Sequence, residues 1–585
     1  MCGIAGWFGP QRDWSADLLR EGLSCRGPDG SGVYDGPGAV LVHTRLAIIG
    51  LGETGAQPMV HRKDGVAEKS EDVLVFNGEI YNYREFGGEE ARSDAQVLMT
   101  MLEREGEDCL PKLAGMFAFA FYRSETGDAL LARDAFGIKP LYYRVDGDTL
   151  AFSCDARLLR RPGDQTDAEA VRDFCLWGSV PETATITTEI RQVPAGHYLR
   201  WKSGRAEIKQ WYFPDLRTHR EMTKTEALGM TRAALEEAMQ RHLVSDVPVG
   251  IFLSGGIDST VVLALARKVL GPLAEIRTFS VGFEDPSFDE SDAARRTAEH
   301  FGARHTEWKM TAADGAAEIG AYLAAVDQPT IDGFNTWCVA KLARREGMKV
   351  VLSGLGGDEW FAGYGSFERV PLLHALHRRL PPLARRLLAG IVGSKSAGSP
   401  WRRLASFLRG RGGWLEAFHA QRGIFNPDEA AVLAEALTGQ IPDAPAWRTG
   451  VLPSGPREIA GWLEVTCYMR NQLLRDSDVF SMAHGLELRV PFVDVRLAEK
   501  LLEIPPEYRL EKGKRLLVDA VPEIPAWVRN RPKQGFRFPF QQWMQSGFGP
   551  LLQDARESSP VPLATWYRTW AFALAKRATG AFARG

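Results

Sequence analysis

The second residue of the chain is a cysteine, in the stretch MCGIAGWFG. Because Met1 is removed efficiently before small residues, we expect Cys2 to become the first residue, with a free α-amine beside its thiol. An α-amine with a pKa of about 7.7–8.0 can accept the thiol proton, and the thiolate can then attack an amide carbonyl. The amine can pass that proton on to departing ammonia. The start of the sequence therefore predicts a nucleophile that releases ammonia from an amide.

Three further stretches could complete such a site. A side-chain amide and a neighbouring glycine N–H suit the oxygen of a tetrahedral intermediate, and Asn77 and Gly78 in FNGEIYN offer both. Arg45 in HTRLAII can pair with a substrate α-carboxylate, while Glu79 and Asp94 can accept an α-ammonium group. Each signal is weak by itself, since Asn-Gly usually forms a turn. Together they predict a site that recognises glutamine.

A second group of residues lies in IFLSGGIDST, residues 251–260. The stretch follows a predicted strand and opens a predicted helix, and its small residues let backbone N–H groups approach a phosphate. It lacks the spacing of a Walker A loop. The pattern SGGIDS resembles the pyrophosphate loop of ATP pyrophosphatases, enzymes that form an acyl-adenylate and release pyrophosphate. A glycine-rich turn without function is the alternative, and the matching letters favour the phosphate site.

This resemblance implies roles for particular residues. The residues implied to hold the β- and γ-phosphates of ATP are Ser254, Gly255, Gly256, Asp258 and Ser259. Asp258, together with Asp358 of SGLGGDEW, is implied to bind Mg²⁺ through carboxylate oxygens. The expected cofactors are therefore ATP, as a substrate, and Mg²⁺.

The elements that must position these residues change character along the chain. Up to about residue 205, short β-like runs alternate with turn residues, as in antiparallel sheets with few helices. The polar residues 206–224 are predicted to be a linker. From residue 225, strands and helices alternate, which favours a parallel sheet covered on both faces, and beyond about residue 365 the pattern is almost wholly helical. We therefore predict two domains, 2–205 and 225–585.

Composition excludes several classes of protein. The chain has 585 residues, more than one core usually supports, and a formal net charge of −3 that indicates no nucleic-acid or membrane footprint. No uncharged apolar run approaches the roughly 20 residues of a bilayer span, and the N-terminus lacks the regions of a signal peptide. We expect a cytoplasmic protein whose partners are small molecules, not nucleic acid or membrane.

Cysteine usage is sparse. The seven cysteines include no CxxC pair, which favours a reducing compartment without a disulfide framework or a zinc site. Those other than Cys2 are expected to be buried small hydrophobes: Cys25, Cys109, Cys154, Cys175, Cys338 and Cys467.

One basic stretch, GSKSAGSPWRRLASFLRGRGG at residues 393–413, interrupts the helical region. It is compatible with an anionic partner or with a solvated loop and helix face. The solvated face is the commoner explanation of such a run.

The first two hundred residues resemble the glutaminase domain of glutamine-dependent asparagine synthetases. The motifs that carry the resemblance are MCGIAGWFG, RGPDGSG, RLAIIGLGETGAQPM, NGEIYNY, SDAQVL, GMFAFAFY and RDAFGIKPLYY. That domain is an N-terminal-nucleophile (Ntn) amidotransferase with a four-layer αββα sandwich. The resemblance implies Cys2 as nucleophile, Asn77 and Gly78 as catalytic donors, and the following glutamine-binding residues: Arg45, Leu46, Ala47, Ile48, Ile49, Asn77, Gly78, Glu79 and Asp94. Two departures are Cys25, where a histidine is usual, and a short segment between NYREF and RSDAQ.

The rest of the chain resembles the synthetase domain of the same family, through SVGF, VLSGLGGDEWFAGY, LRVPFVD and GKRLLVDA. This domain is an α/β parallel-sheet ATP pyrophosphatase with a helical C-terminal region. The resemblance implies that ATP is also contacted by Phe252, Val281, Ser353 and Gly354. It implies that Lys514 neutralises phosphate charge in the adenylate transition state. A homodimer is one assembly compatible with it.

Leu355 is the departure that bears on the reaction. Well-studied bacterial members read SGEGSDE where this chain reads SGLGGDE, and their glutamate assists acyl-adenylate chemistry. Glu359 and Asp332 are the nearest carboxylates that could replace it. The stretch VDQPTIDGFNTW also differs from the family pattern. The first hypothesis remains an asparagine synthetase that adenylates aspartate and amidates it with channelled ammonia.

Two other hypotheses stay open. The same chemistry could act on a different carboxylate, such as a small molecule, a sugar acid or a peptide, in a specialised pathway, and Leu355 favours this version. A non-catalytic pseudoenzyme is the third hypothesis. The intact Cys2, Asn77, Asp258 and Lys514 argue against it.

Overall fold

The computed structural model describes residues 2–580 apart from 11–13, 63–70, 89, 218, 395–399, 448, 532–538, 540–542 and 544–548. Met1, whose removal the sequence analysis expects, and part of the basic stretch 393–413 lie outside the described residues.

Twelve strands build the N-terminal region. They are β1 Gly3–Phe8, β2 Gly30–Gly36, β3 Ala39–Arg45, β4 Met59–Arg62, β5 Glu71–Ile80, β6 Gly115–Arg123, β7 Asp128–Arg133, β8 Tyr142–Asp146, β9 Thr149–Ser153, β10 Arg191–Gln192, β11 His197–Lys202 and β12 Arg205–Gln210. They form two antiparallel six-stranded sheets, in the orders β10-β8-β9-β1-β3-β2 and β12-β11-β7-β6-β5-β4. The strand β12 pairs with β11, so the sheet extends into the segment predicted as linker.

Helices cover the outer faces of these sheets. They are α1 Ala16–Gly22, α2 Tyr83–Gly87 and α3 Asp94–Glu105. The next helix, α4 Ala168–Trp177, packs instead on helices of the C-terminal region. One apolar core fills the space between the two sheets and beneath α1, and a second core lies between α3 and the β5–β6 pair. Strands such as β6 are buried along almost their whole length because they are covered on both faces. The predicted αββα sandwich is confirmed.

The second half of the chain contains a five-stranded parallel sheet, in the order β15-β14-β13-β16-β17. Its strands are β13 Val249–Phe252, β14 Arg277–Phe283, β15 Arg304–Met310, β16 Val350–Leu352 and β17 Glu487–Arg489. The chain runs outward from β13 to β15 and then returns to β16 on the other side of β13. Ligands of open α/β sheets bind where the strand order reverses in this way, at the carboxyl ends of the strands. The loops after β13 and β16 therefore define the expected site.

Helices surround this sheet and make up the C-terminal region. They are α5 Lys224–His242, α6 Ile257–Leu270, α7 Ser291–His300, α8 Ala312–Ala325, α9 Phe334–Arg345, α10 Gly357–Trp360, α11 Ser366–Arg379, α12 Pro382–Gly393, α13 Pro400–Arg409, α14 Trp414–Arg422, α15 Pro427–Thr438, α16 Pro456–Leu463, α17 Arg475–Met482, α18 Val495–Glu503, α19 Pro506–Arg509, α20 Arg515–Ala520, α21 Ala526–Arg529, α22 Gly549–Ser558 and α23 Trp566–Gly580. A π-helical segment, Glu464–Leu474, joins α16 to α17. Within the described part of the chain, none of the helices combines the length and apolar composition that a bilayer span requires.

The two halves of the chain contact each other through polar and charged groups. Lys349 Nζ donates to Asp29 Oδ2 at 2.8 Å, and the Gly50 backbone N–H donates to Asp246 Oδ2 at 2.8 Å. Arg26 Nη2 donates to Asp478 Oδ2 at 2.7 Å, and both of these side chains are buried. Because Lys349 and Asp246 stand just before β16 and β13, the first two contacts place loops of the first half at the amino-end side of the parallel sheet.

Burial of the cysteines follows the prediction with two exceptions. Cys109, Cys154, Cys175 and Cys338 are buried, as expected. Cys25 is exposed, and the prediction for it was wrong, because it lies in the turn after α1 with its neighbour Arg26 turned inward instead. Cys467 is half-buried, within the π-helical segment.

Candidate active sites

Cys2 lies at the start of β1, the strand held between β9 and β3 of the first sheet. Its backbone N–H donates to Asn77 Oδ1 at 3.1 Å, a bond that joins the first sheet to β5 of the second. Burial raises the pKa of the Cys2 thiol, so little thiolate exists at neutral pH unless a base stands beside it. The α-amine that Met1 removal would expose is attached to the same residue.

Asn77 and Gly78 are the two residues predicted to bind the oxyanion. Asn77 is fully buried, and its Nδ2 has no hydrogen-bond acceptor among the described residues. A buried donor without a partner is costly, and an oxyanion would satisfy it. Gly78 has φ +148°, and a side chain there would meet the Met116 carbonyl oxygen at 2.0 Å. Only glycine allows β5 and β6 to approach so closely at this point.

The five predicted glutamine-binding residues 45–49 run from the last residue of β3 into the loop that follows it. Arg45 donates from Nη1 to the Gly52 carbonyl at 2.8 Å and from Nη2 to the Gly50 carbonyl at 2.5 Å. Leu46 and Ile48 are buried, while Ala47 and Ile49 are half-buried. In this structure Arg45 therefore closes its own loop, and its pairing with a glutamine carboxylate stays a prediction.

Two carboxyl groups compete for one guanidinium beside this loop. Arg489 Nη2 lies 3.3 Å from Glu79 Oε1, and Arg489 Nε donates to Glu487 Oε1 at 2.5 Å. Burial, followed by the charge of Glu487, raises the pKa of Glu79. Burial disfavours the charged form of Glu487. The cations around it, Arg489 among them, outweigh burial and lower its pKa to about 2. Glu487 therefore keeps the charge, and Glu79 holds a proton more readily.

Asp94 is one of the two carboxyl groups predicted to bind the α-ammonium group of glutamine. Burial raises its pKa to about 6, although its carboxylate accepts backbone N–H bonds from Ile80 at 3.1 Å and from Ala95 at 2.9 Å. Only the ionised form pairs with an ammonium group. We therefore expect the KM for glutamine to fall about tenfold between pH 5 and pH 7, as Asp94 ionises. Initial rates of glutamate release, with KM separated from kcat at each pH, measure this effect.

The matched variants are Asp94→Asn and Asp128→Asn. The first should bind glutamine weakly at every pH, because a neutral amide does not titrate. The second changes a carboxylate that pairs with Lys202 on β11 and should keep the wild-type profile. A flat KM between pH 5 and pH 7 in the wild type would contradict the assignment of Asp94.

The SGGIDS turn connects β13 to α6. Gly255 has φ +70°, and a side chain there would lie 2.8 Å from the backbone of Ala293 on α7, so the turn requires glycine. The helix α6 begins at Ile257, with Asp258 and Ser259 in its first turn. Ser259 Oγ accepts the backbone N–H of Ser254 at 3.2 Å, which holds the turn closed. The N-terminus of α6 therefore faces the cavity described next.

Two adjoining cavities meet at this turn. The first has a volume of about 330 Å³ and is lined by the predicted ATP residues Phe252, Ser254, Asp258, Ser259, Val281, Ser353 and Gly354. The second, of about 470 Å³, is lined by Gly255, Gly256, Asp358 and Lys514, and shares Ser254, Asp258 and Ser259 with the first. The structure thus brings the residues predicted for ATP together at the carboxyl ends of β13 and β16.

Lys514 joins the two predicted metal ligands. Its Nζ lies 2.5 Å from Asp358 Oδ1 and also donates to Asp258 Oδ2. Burial would lower the pKa of Lys514, but the charges of Asp258 and Asp358 outweigh it and raise the pKa. The lysine is therefore a fixed cation at the point where these cavities meet.

Asp258 and Asp358 fit Mg²⁺ by donor type. Mg²⁺ is typically held by one or two carboxylates together with phosphate oxygens, and these carboxylates converge beside a phosphate-sized cavity. In the described part of the chain there is no cluster of three or more acidic, histidine or cysteine side chains able to hold a metal without such phosphates.

Comparison with known proteins supports both halves. Residues 230–578 match the family model for asparagine synthase, and residues 1–212 match the model for a glutamine amidotransferase domain. The chain belongs to the glutamine-dependent asparagine synthetase family. Members of this family are carbon–nitrogen ligases that take nitrogen from glutamine and use ATP as a substrate.

Named relatives span most of the chain. It is 30% identical over 588 residues to asparagine synthetase [glutamine-hydrolyzing] 1 of Bacillus subtilis, covering 96% of this chain and 90% of the relative. It is 31% identical over 424 residues to asparagine synthetase B of Escherichia coli, covering 66% and 69%. It is 28% identical over 592 residues to amidase chyE of Penicillium rubens, covering 91% and 85%.

Leu355 stands where the family pattern quoted above has a glutamate. Leu355 is half-buried, packs on the core of the parallel sheet and lines the 330 Å³ cavity. Glu359, one of the two carboxylates considered as a replacement, is buried, accepts from Tyr364 Oη at 2.9 Å and is absent from the lining of either cavity. Asp332, the other, lines the same cavity as Leu355. The geometry therefore favours Asp332.

Further residues that the sequence motifs do not mark line the cavities of this region. Asp476 and Ser477, at the start of α17, line the 330 Å³ cavity, and burial raises the pKa of Asp476 to about 7. Asp332 and Asn335 lie on the boundary with a third cavity of about 590 Å³. This cavity is lined by aromatic rings from distant elements, among them Trp177, Phe418, Tyr468 and Trp566. No motif of the sequence marks these four aromatic residues, because they come from four separate segments.

Proposed function

We propose that this protein is a glutamine-hydrolysing asparagine synthetase that converts ATP, L-aspartate, L-glutamine and water to AMP, pyrophosphate, L-asparagine and L-glutamate. The observation that carries the proposal is the pairing, in one chain, of the Cys2–Asn77 contact with the Asp258–Lys514–Asp358 cluster. The first suits amide hydrolysis and the second suits charge neutralisation on a polyphosphate. The two-site mechanism follows from them.

In the glutaminase half-reaction, the Cys2 α-amine takes the thiol proton and Sγ attacks the glutamine δ-carbonyl. The oxygen of the tetrahedral intermediate accepts from Asn77 Nδ2 and the Gly78 N–H. The amine then protonates the departing ammonia, and water hydrolyses the thioester to release glutamate. Glu79 and Asp94 would hold the α-ammonium group of glutamine, and Arg45 its α-carboxylate.

In the synthetase half-reaction, the SGGIDS turn would hold the β- and γ-phosphates at the N-terminus of α6. Lys514 would neutralise the charge that develops on pyrophosphate as the acceptor carboxylate attacks the α-phosphorus. Mg²⁺, held by Asp258 and Asp358, would supply further charge stabilisation when bound. Ammonia would then attack the carbonyl carbon of the aspartyl-adenylate and displace AMP.

A helix connects the two sites, which supports internal transfer of ammonia. Arg26 Nε donates to the Cys2 carbonyl at 3.5 Å, and Arg26 Nη2 binds Asp478 on α17. On the same helix, Asp476 and Ser477 line the ATP cavity. In this proposal α17 would separate the two reacting centres, with Asp478 toward Cys2 and with Asp476 and Ser477 toward the ATP cavity.

A second acceptor is favoured by one observation. The wall of the 330 Å³ cavity carries Leu355 where an acid is usual in the family. Asp332 and Asn335 line both this cavity and the adjoining 590 Å³ aromatic cavity. By volume such a cavity holds roughly twenty water molecules, more than aspartate displaces. A larger carboxylate, amidated by the same chemistry, is the second candidate function.

Leu355→Glu separates the two acceptors. If aspartate is the acceptor, the added carboxylate should raise aspartate-dependent pyrophosphate release by about 100-fold, since general acid–base help is worth typically 10²–10⁴-fold. If the acceptor is a larger, more apolar carboxylate, the same change buries a charge against it and lowers the rate. Pyrophosphate release with aspartate, and then with a panel of other carboxylates, measures both.

Leu355→Gln is the matched control, because it adds polarity and size without a carboxylate. It should leave aspartate turnover at the wild-type level in the first case. Brisk aspartate turnover in the wild type that collapses in Leu355→Glu would exclude a missing carboxylate. The absence of aspartate turnover from both proteins would exclude asparagine synthesis.

A further inference from the structure

One surface of the helical region combines exposed apolar side chains with positive charge. Seven of the twenty large hydrophobic residues that are exposed in the described chain fall within the thirty residues 372–401. We call them the α11–α13 patch, and they are Leu372, Leu376, Leu383, Leu387, Leu388, Ile391 and Trp401, with exposed fractions between 38% and 70%. So dense a cluster on a soluble domain marks an interaction site.

The exposed leucines follow the period of a helix. In α12, Leu383, Leu387 and Ile391 are spaced by four residues and form one stripe. Ala389 lies about 200° around the helix from Leu387, and it is fully buried against Ala405 and Leu408 of α13. The stripe therefore faces away from the body of the protein. Its residues do not cover a core.

The same arrangement occurs in α11. Leu372 and Leu376 are exposed and spaced by four residues, whereas Phe367 and Val370 on the opposite face are buried. Trp401, at the start of α13, is 48% exposed. Three successive helices thus each contribute apolar side chains to solvent.

The charged side chains that the sequence contributes between Glu368 and Glu416 are all positive. Between Glu368 and Glu416 the sequence contains no acidic residue, although the whole chain has a net charge of −3. The described arginines in this interval are Arg369, Arg378, Arg379, Arg385, Arg386, Arg402, Arg403, Arg409 and Arg411. Six of these are exposed, namely Arg369, Arg378, Arg379, Arg386, Arg409 and Arg411, and Arg386 is directly next to Leu387.

These two properties together specify an occupant. Leucine, isoleucine and tryptophan with flanking arginines on short helices are typical of segments that lie in the headgroup region of a bilayer. A second copy of this chain would bring the same exposed arginines face to face, and like charges oppose such a symmetric contact. Anionic headgroups complement the arginines, while the acyl boundary accepts the leucines.

We propose that the α11–α13 patch binds the surface of a bilayer that contains anionic lipid. The helices lie in the plane of the interface, with the stripe of α12 in the acyl boundary and the exposed arginines at the phosphates. No helix crosses the bilayer in this arrangement. The inference is independent of which carboxylate the enzyme amidates.

Vesicle flotation with the full chain tests the proposal. The probes are vesicles of phosphatidylcholine alone, and vesicles of three parts phosphatidylcholine to one part phosphatidylglycerol. We expect binding to the mixed vesicles at about 0.1 M NaCl, little binding to phosphatidylcholine, and loss of binding at about 1 M NaCl, where charges are screened within roughly 3 Å. Equal binding to both vesicles, or no binding to either, would overturn the proposal.

Two sets of substitutions separate the apolar and the charged contributions. The triple change Leu383→Ser, Leu387→Ser and Ile391→Ser should lower the partition coefficient by about 100-fold, because it removes the stripe. The triple change Arg378→Gln, Arg379→Gln and Arg386→Gln should lower it by about 100-fold as well, at about fivefold for each charge. All six side chains are exposed, so we expect an unchanged melting temperature in both variants.

The matched control removes three exposed apolar side chains from elsewhere on the protein: Leu18→Ser, Leu273→Ser and Ile441→Ser, whose exposed fractions are 66%, 98% and 80%. It should bind mixed vesicles like the wild type. A control that loses as much binding as the stripe variant would overturn the proposal. So would sedimentation velocity showing that the stripe variant converts an oligomer to a monomer while the wild type ignores vesicles, since the patch would then join copies of the chain.

Discussion

The Cys2→Ala variant is expected to lose glutamine-dependent amidation while ammonia-dependent amidation continues. Removal of a catalytic nucleophile typically costs about 10⁴-fold or more, and the Cys2 backbone N–H is bonded to Asn77 Oδ1 of the predicted oxyanion site. The synthetase site takes its groups from β13, β16 and the loop of Lys514, none of which includes Cys2. The measurement is amide formation with glutamine, and separately with ammonium chloride, under the same ATP and acceptor concentrations.

Cys109→Ala is the matched control for this variant. Cys109 is another buried thiol of the same half of the chain, and burial raises its pKa to about 12. It lies in the core between α3 and the second sheet, so its loss should affect stability without abolishing glutamine use. Glutaminase activity that survives in Cys2→Ala would reject Cys2 as the nucleophile. Parallel loss of the ammonia-dependent reaction would show that the two sites cannot work apart.

Asp258→Asn and Asp358→Asn are each expected to reduce pyrophosphate release by about 1,000-fold and to leave glutamine hydrolysis measurable. Each change removes one carboxylate from the pair that holds Lys514 and would hold Mg²⁺, so charge on the leaving pyrophosphate loses its compensation. Neither residue contacts the Cys2 site. Pyrophosphate release with ATP and acceptor, and glutamate release with glutamine alone, are the two measurements.

Asp292→Asn serves as the control for these variants. Asp292 is in the first turn of α7, with 93% of its side chain exposed, and it pairs with Arg295 across the surface. A surface pair of this kind contributes little, so we expect wild-type rates in both assays. If either active-site variant kept wild-type pyrophosphate release, the cluster would not be the site of adenylation. If both variants lost glutamine hydrolysis to the same degree as pyrophosphate release, the two half-reactions would not be independent.

The local features of both sites could be predicted from the sequence, because they depend on residue types that act within a few positions. The turn SGGIDS needs glycine at positive φ and small neighbours at a helix start, and the structure has Gly255 at φ +70° before α6. The alternation of strands and helices after residue 225 predicted a parallel sheet for the same reason. Asn77–Gly78 was predicted as a donor pair; Asn77 lies on β5 within hydrogen-bond distance of Cys2, and the donor role stays a prediction.

Contacts between distant segments were decided by the tertiary structure. Lys514 reaches Asp258 across 256 residues, and the strand order that places β16 beside β13 has no signature in either strand. The choice of Asp332 over Glu359 beside Leu355 depends on the direction of each side chain, which spacing does not reveal. The exposure of Cys25 and of the α11–α13 patch has the same origin. Burial depends on what packs against a residue, and apolar composition specifies only that burial would be favourable.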